Sequence, residues 1–332
     1  MNYIGSKHKL NPWLLEEISN TYPHQLSTAI FCDLFAGTGA VGRNFKPLVH
    51  QVIANDVEHY SYVLLKNYVG NISELHYHEY LEKLNTLTPK KGFIFEHYSE
   101  GGHAQRLYFS SNNGQHIDAA RQKIEQWKTD NTIDAPLYYF LIASLIESAD
   151  KVANTASVYG AYLKNLKKSA TKKLVIAPAI FTATQRPNRV FNEDANTLIK
   201  KISGDILYLD PPYNARQYGA NYHLLNTIAH YDNFVPKGKT GLRNYTKSAY
   251  CRKNEVVKVF EELVKNAQFK YLFLSYNNEG LMTKEEVETI MKRYGHYQIK
   301  TKEYQRFKAD KTENRNHKFD KTTEYLHILE KK

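Results

Sequence analysis

The chain has 332 residues, 42% of them hydrophobic and 24% charged, enough apolar material for one or two cores and too much for whole-chain disorder. Lysine and arginine total 45 against 34 aspartates and glutamates, a net charge of +11, which favours polyanionic partners. No apolar run nears the ~20 residues of a membrane helix, the N-terminus carries no signal-peptide core, and the two cysteines can build neither a disulfide framework nor a four-thiolate zinc site; a soluble, cytoplasmic protein without a membrane partner is expected.

In chain order, residues 30–35 (Ile-Phe-Cys-Asp-Leu-Phe) read as a short strand buried on both faces and stopped by Gly37-Thr38-Gly39. Residues 52–56 read as a second strand ending in an acid. Residues 76–189 mix polar, aromatic and glycine-rich sequence with one strong helix near 136–148, and are expected to form an insertion. A third strand, 206–210, is ended by Pro211-Pro212. An amphipathic helix follows over 255–267, then a fourth strand over 271–276. Thr283-Lys284-Glu285-Glu286 is a capping box opening a helix that Gly295 stops. Partial alternation over 297–307 and 323–329 predicts an antiparallel pair. Strand–helix alternation at both ends predicts a doubly wound α/β domain made from 1–75 and 190–332, interrupted by 76–189.

Two motifs carry chemistry. Asp33-Leu34-Phe35-Ala36-Gly37-Thr38-Gly39-Ala40-Val41-Gly42 contains a G-x-G-x-x-G pattern after a strand, with Asp56 ending the next one. Such glycines let backbone approach a nucleotide-like ligand, and the second acid suits ribose hydroxyls. A dinucleotide or an adenosyl cofactor would satisfy this; Asp33 favours the latter, because it repels a pyrophosphate and suits the ammonium of a methionine moiety. The second motif is Asp210-Pro211-Pro212-Tyr213, directly after a buried strand. It can be a rigid strand exit. It can also activate a planar exocyclic amine, with the Asp210 carboxylate and Pro211 carbonyl accepting both N–H groups while Tyr213 stacks on the base.

Basic residues cluster where acids are missing. From Lys151 to Asn192 there is no Asp or Glu, yet Lys164, Lys167, Lys168, Lys172 and others fall there; a second acid-free stretch runs from Asn233 to Asn254. Lys164, Lys167, Lys168 and Lys172 lie at near-helical spacing, which fits a phosphate-facing helix or a solvated face. Arg216, tethered three residues beyond Tyr213, is a better candidate for DNA or pocket contact.

Tyr3-Ile4-Gly5-Ser6-Lys7, the 33–39 segment and Asp210–Tyr213, in this order, resemble the alpha-group, Dam-like N6-adenine DNA methyltransferases of restriction-modification systems. The likeness continues through residues 214–225 and at Ser275-Tyr276-Asn277. It implies a class I S-adenosylmethionine-dependent fold with 76–189 as target-recognition insertion. It also implies cofactor contacts from Tyr3, Lys7, Asp33, Phe35, Gly37, Gly39, Asp56, Asp194 and Asp210, and catalysis by Asp210, Pro211, Pro212 and Tyr213 on a flipped adenine in double-stranded DNA. Glu193 could substitute for Asp194. The likeness leans towards modification enzymes of CATG-recognising systems, acting as monomers beside a cognate endonuclease.

Other chemistries fit less well. Cytosine-C5 methylation needs a nucleophilic cysteine in a Pro-Cys setting, and neither Cys32 nor Cys251 has one. His76-Tyr77-His78 lacks a third metal ligand at useful spacing, and transfer from a sulfonium needs no metal. An RNA amine methyltransferase with the same pocket remains an alternative. A non-enzymatic nucleic-acid- or dinucleotide-binding protein is the third reading, disfavoured by the intact Asp33, Asp56, Asp210 and Tyr213 set.

Overall fold

The computed structural model describes residues 7–305 and 321–332. The chain divides into two compact units, one built around a sheet and the other helical.

The sheet unit takes residues 186–217 and the described parts of 7–57 and 247–332. Its strands are β1 (Ile30–Asp33), β2 (Gln51–Asn55), β3 (Arg189–Phe191), β4 (Ser203–Leu209), β5 (Gln268–Asn277), β6 (Gly295–Gln305) and β7 (Lys321–Lys331). They lie in the order β3-β2-β1-β4-β5-β7-β6. The first five pair in parallel, and β7 runs antiparallel to both β5 and β6. This is the class I methyltransferase arrangement. Strand order reverses between β1 and β4, where Asp33 pairs in register with Tyr208, the place at which open doubly wound sheets hold their ligands.

The central strands carry buried apolar runs, residues 206–209 in β4 and 271–274 in β5, because helices cover them. Val256, Phe260, Leu263 and Val264 line the buried stripe of the helix Val256–Asn266 and pack in one core with Leu207, Leu272 and Leu274. The helix Lys284–Tyr294 begins with the predicted capping box: the Glu286 N–H donates to Thr283 Oγ1 at 3.1 Å, and the Thr283 N–H to Glu286 Oε2 at 2.7 Å, worth about 1 kcal/mol. Gly295 ends it because β6 starts against β7 at once; a Cβ there would stand 2.0 Å from the Glu330 carbonyl oxygen.

The helical unit takes Glu58–Gln185 and Tyr218–Thr246. Its boundaries differ from the 76–189 expected from composition. The helix His59–Tyr68 buries Tyr60, Val63, Leu64 and Leu65, while the Tyr60 N–H donates to Asn226 Oδ1 at 2.9 Å and Asn226 Nδ2 donates to Glu58 Oε2 at 2.5 Å. These bonds tie 58–60 to the helix His223–His230. A second helix, Ser111–Thr129, had no sequence forecast. Its Gly114 reads as a breaker, yet it allows a close crossing, since a Cβ would meet Ser99 Oγ at 1.9 Å. Among the described residues no helix is long and apolar enough to cross a membrane.

Candidate active site

At the end of β1, Asp33 is 1% exposed and its Oδ2 accepts the Gly42 N–H at 2.8 Å. Gly37 (φ 53°) and Gly39 (φ 71°) make the turn between strand and helix in a backbone region that disfavours side chains. Gly42, in the helix Ala40–Phe45, is bare for another reason: a Cβ would lie 3.1 Å from Asp33 Oδ2. Asp56 follows β2, half-buried, and accepts the Gly37 N–H at 2.8 Å. Asn55 fixes the neighbouring loops, donating to the carbonyls of Leu34 and Glu193 at 3.1 Å each. Phe35 is half-buried and meets the Tyr250 ring edge-on at 5.0 Å.

Asp210 emerges from the adjacent β4. Lys7 Nζ lies 3.2 Å from Asp210 Oδ1 and 2.8 Å from Glu324 Oε1, and stands 5.9 Å from the centroid of the Tyr213 ring. Ser275 on β5 donates its hydroxyl to the same Glu324 oxygen. Tyr213 is half-buried and approaches Tyr276 edge-on at 6.5 Å, and its carbonyl accepts the Leu281 N–H at 3.0 Å. Pro211 is buried and Pro212 half-buried, which holds the Asp210–Tyr213 spacing nearly rigid.

The electrostatics follow from this crowding. Burial, with repulsion from Asp210 and Asp56, pushes the Asp33 carboxyl up to about 7 against the opposing Gly42 hydrogen bond. Burial and the Glu324 charge push Asp210 up to about 6 although Lys7 opposes them. Burial works against the charged form of Lys7, but its carboxylate neighbours hold it well above the ordinary lysine value. Asp210 and Glu324 thus share Lys7, while Asp33 lies close enough to Asp210 and Asp56 to be repelled by both. A crevice with surplus negative charge repels a pyrophosphate and fits a ligand bearing an ammonium and a sulfonium.

The remaining predicted residues are placed as follows. Tyr3 lies outside the described residues. Asp194 is exposed and caps the short helix Ala195–Leu198, accepting the Thr197 N–H at 3.0 Å, while Glu193 pairs with Lys201 at 2.5 Å. Arg216 is exposed in the sheet unit, its N–H donating to Asn214 Oδ1 at 2.9 Å. The helix considered for Lys164, Lys167, Lys168 and Lys172 is not formed; these residues lie in turns and irregular chain. The Asn154 side chain takes over the backbone groups a helical ladder would use, donating to the carbonyls of Leu107 and Leu163 and accepting the Lys167 N–H. Lys167 spends its ammonium on the Thr155 carbonyl at 2.6 Å, whereas Lys164 and Lys168 are exposed. No group of three or more His, Cys, Asp or Glu able to hold a metal occurs among the described residues.

Sequence reasoning missed Glu324, and assigned no role to Ser275 or Tyr250. For Glu324 a signal existed. It shares a strand face with Leu326 and Ile328, both buried, and an acid on an apolar face needs a partner.

The model of the D12 class of N6 adenine-specific DNA methyltransferases matches residues 3–290. The chain belongs to this family. Among its relatives, the Type II methyltransferase M.NlaIII of Neisseria lactamica is 63% identical over 332 residues, covering 100% of this chain and 99% of the relative. Type II methyltransferase M.CviAII of Paramecium bursaria Chlorella virus 1 is 40% identical, covering 93% of each chain. Type II methyltransferase M.FokI of Planomicrobium okeanokoites is also 40% identical, over 93% of this chain and 50% of that one. The chain is accordingly an S-adenosylmethionine-dependent, adenine-specific DNA methyltransferase of the Type II restriction-modification kind. Family membership also decides the polymer that the Asp-Pro-Pro-Tyr motif alone left open, in favour of DNA.

Proposed function

We propose that the sheet unit carries the methyl-transfer centre and that the helical unit reads the DNA target. The observation that carries the first part is the convergence of Lys7, Asp210 and Tyr213 beside the acid-rich end of β1. Asp33 takes the cofactor's ammonium, Asp56 its ribose hydroxyls, and Asp194 its adenine; Tyr3, Lys7, Phe35, Gly37 and Gly39 complete the cofactor contacts.

Bound S-adenosylmethionine supplies an electrophilic methyl group on a cationic sulfur. Asp210 and the Pro211 carbonyl accept the two N–H bonds of the adenine amine, drawing N6 towards tetrahedral geometry and freeing its lone pair. Methyl transfer to N6 would break the sulfur–carbon bond with its electron pair left on sulfur, and the Asp210 carboxylate would take the surplus proton from N6 and pass it to water. Tyr213 holds the base in line by stacking. A base buried in a duplex cannot reach such a centre, so the adenine is rotated out of the helix first.

For DNA binding we propose Lys164, Lys168 and Arg216, with Lys167 ordering the loop from beneath. Support comes from the division of the chain: residues 151–185 and 233–246, the bulk of both acid-free stretches, belong to the same helical unit. The proposed target is CATG, methylated by a cytoplasmic monomer whose cognate endonuclease cuts the same site.

The test is transfer of labelled methyl to unmethylated DNA, with nucleoside analysis and Asp210→Ala as control. N6-methyladenine confined to CATG, absent from a variant that still binds DNA, is expected. Normal turnover by Asp210→Ala overturns the catalytic assignment, and methylation mapping to another site overturns the target.

A further inference from the structure

The methyl-transfer reading uses Lys7 and Asp210 but leaves unexplained a buried acid on the last strand. Glu324 is 0% exposed. Its Oε1 accepts from both Lys7 Nζ, at 2.8 Å, and Ser275 Oγ. Its Oε2 is buried with no hydrogen-bond partner among the described residues. An ionised carboxylate so poorly satisfied is costly to bury, and packing alone would be served better by an apolar residue beside Leu326 and Ile328.

Resting on that reading, we propose that Glu324 is a positioning residue for methyl transfer: it draws the Lys7 ammonium off Asp210 and so keeps Asp210 a strong acceptor for the adenine amine. Two geometric facts carry this. Lys7 lies between the carboxylates and is nearer to Glu324, 2.8 Å against 3.2 Å. The Ser275 hydroxyl fixes the same Glu324 oxygen that Lys7 meets. Without the Glu324 charge, Lys7 would turn wholly to Asp210, and a carboxylate already bonded to an ammonium polarises an amine poorly. The groups facing Asp210 are Lys7 from the turn before the first helix, Asp33 on β1, Tyr208 on β4, Tyr213 in its own loop and Glu324 on β7. Of these, Lys7 lowers its proton affinity while Glu324 raises it.

The experiment compares the full-length wild type with Glu324→Gln and Glu324→Asp. The first readout is the carbon-13 titration of the Asp210 carboxyl in aspartate-labelled protein, assigned by Asp210→Asn. The second is the single-turnover rate of adenine methylation as a function of pH. Glu324→Gln is expected to move the Asp210 titration, and the acid limb of the rate profile, about one pH unit lower and to reduce the plateau about tenfold or more. Glu324→Asp, which keeps the charge one methylene further back, is expected to shift both readouts the same way by less, and it stands in if the Gln variant does not fold. An unmoved Asp210 titration in a folded variant overturns the inference whatever the rate does. So does an Asp variant as impaired as Gln with its acid limb in place, because that pattern is purely structural. Absence of methyl transfer by the wild type overturns the underlying reading and the inference with it; wild-type transfer with unmoved variants overturns the inference alone.

Discussion

Asp33→Asn should make the unliganded protein more stable while weakening its hold on the cofactor. Asp33 is buried, and its carboxyl is pushed from 3.8 to about 7, by burial first and then by its acidic neighbours. The sign follows from proton uptake. Below 3.8 the group is protonated in both folded and unfolded chains and carries no penalty. As pH rises towards 7 the unfolded chain loses this proton and the folded one keeps it, so stability falls, and above 7 the full penalty applies. At about 1.4 kcal/mol per pH unit the rise corresponds to about 4 kcal/mol. An Asn Nδ2 that finds no acceptor returns about 1–2 kcal/mol of this, which leaves a net gain of about 2–3 kcal/mol at pH 8. Urea unfolding without ligand at pH 8 and pH 4.5 measures it: the variant is expected to be the more stable at pH 8, with the advantage gone at pH 4.5. Titration calorimetry should show S-adenosylmethionine binding weakened about tenfold or more in the variant, because the ammonium loses its counter-charge. A variant less stable than wild type at pH 8 would refute the account of Asp33 as a strained, ligand-directed charge.

Two further outcomes follow from the site. Tyr213→Ala should lose roughly 1–3 kcal/mol of base stacking, read as a fall in kcat/KM for DNA, with Tyr213→Phe restoring most of it; a Phe variant as impaired as Ala would move the role to the hydroxyl. Replacing Lys164 and Lys168 by Gln should reduce the slope of log affinity against log salt by about 0.9 for each phosphate no longer neutralised, and an unchanged slope would return both residues to the solvated surface.

β1, β2 and β4 were legible as short apolar runs, with sharp chemical stops in Gly37-Thr38-Gly39 after β1 and Pro211-Pro212 after β4, whereas β3, only three residues long, carried no such signal. Asp33, Asp56 and Asp210 were legible because an acid at the carboxyl end of a buried parallel strand has no packing reason to be there. The helical unit was less so. Ser111–Thr129 opens with Ser-Asn-Asn-Gly, a turn-like string whose helix depends on the Ser110 cap and on room at Gly114 for Ser99. Lysine spacing over 164–172 imitated a helix, but the Asn154 side chain wins the competition for the backbone. Glu324 escaped because its meaning lies 317 positions away, at Lys7; a register between β7 and β5 that places it across from Asn277 cannot be read from local sequence.

Taken together, the charges suggest why the centre is assembled from so many acids. With Lys7 as the cation beside Asp210 and no ligand bound, the Asp33 and Asp210 carboxyls are pushed up to about 7 and about 6, so near neutral pH a fraction of each stays protonated, and a protonated Asp210 accepts hydrogen bonds weakly. A cationic ligand held beside these carboxylates lowers both values. A bound methyl donor therefore raises the ionised fraction of Asp210. Under the proposed reading, activation of the adenine amine is thereby coupled to occupancy of the cofactor site through charge alone, with no moving part. The buried Asp33 charge that weakens the empty fold would, in the same way, become the counter-ion of the filled one.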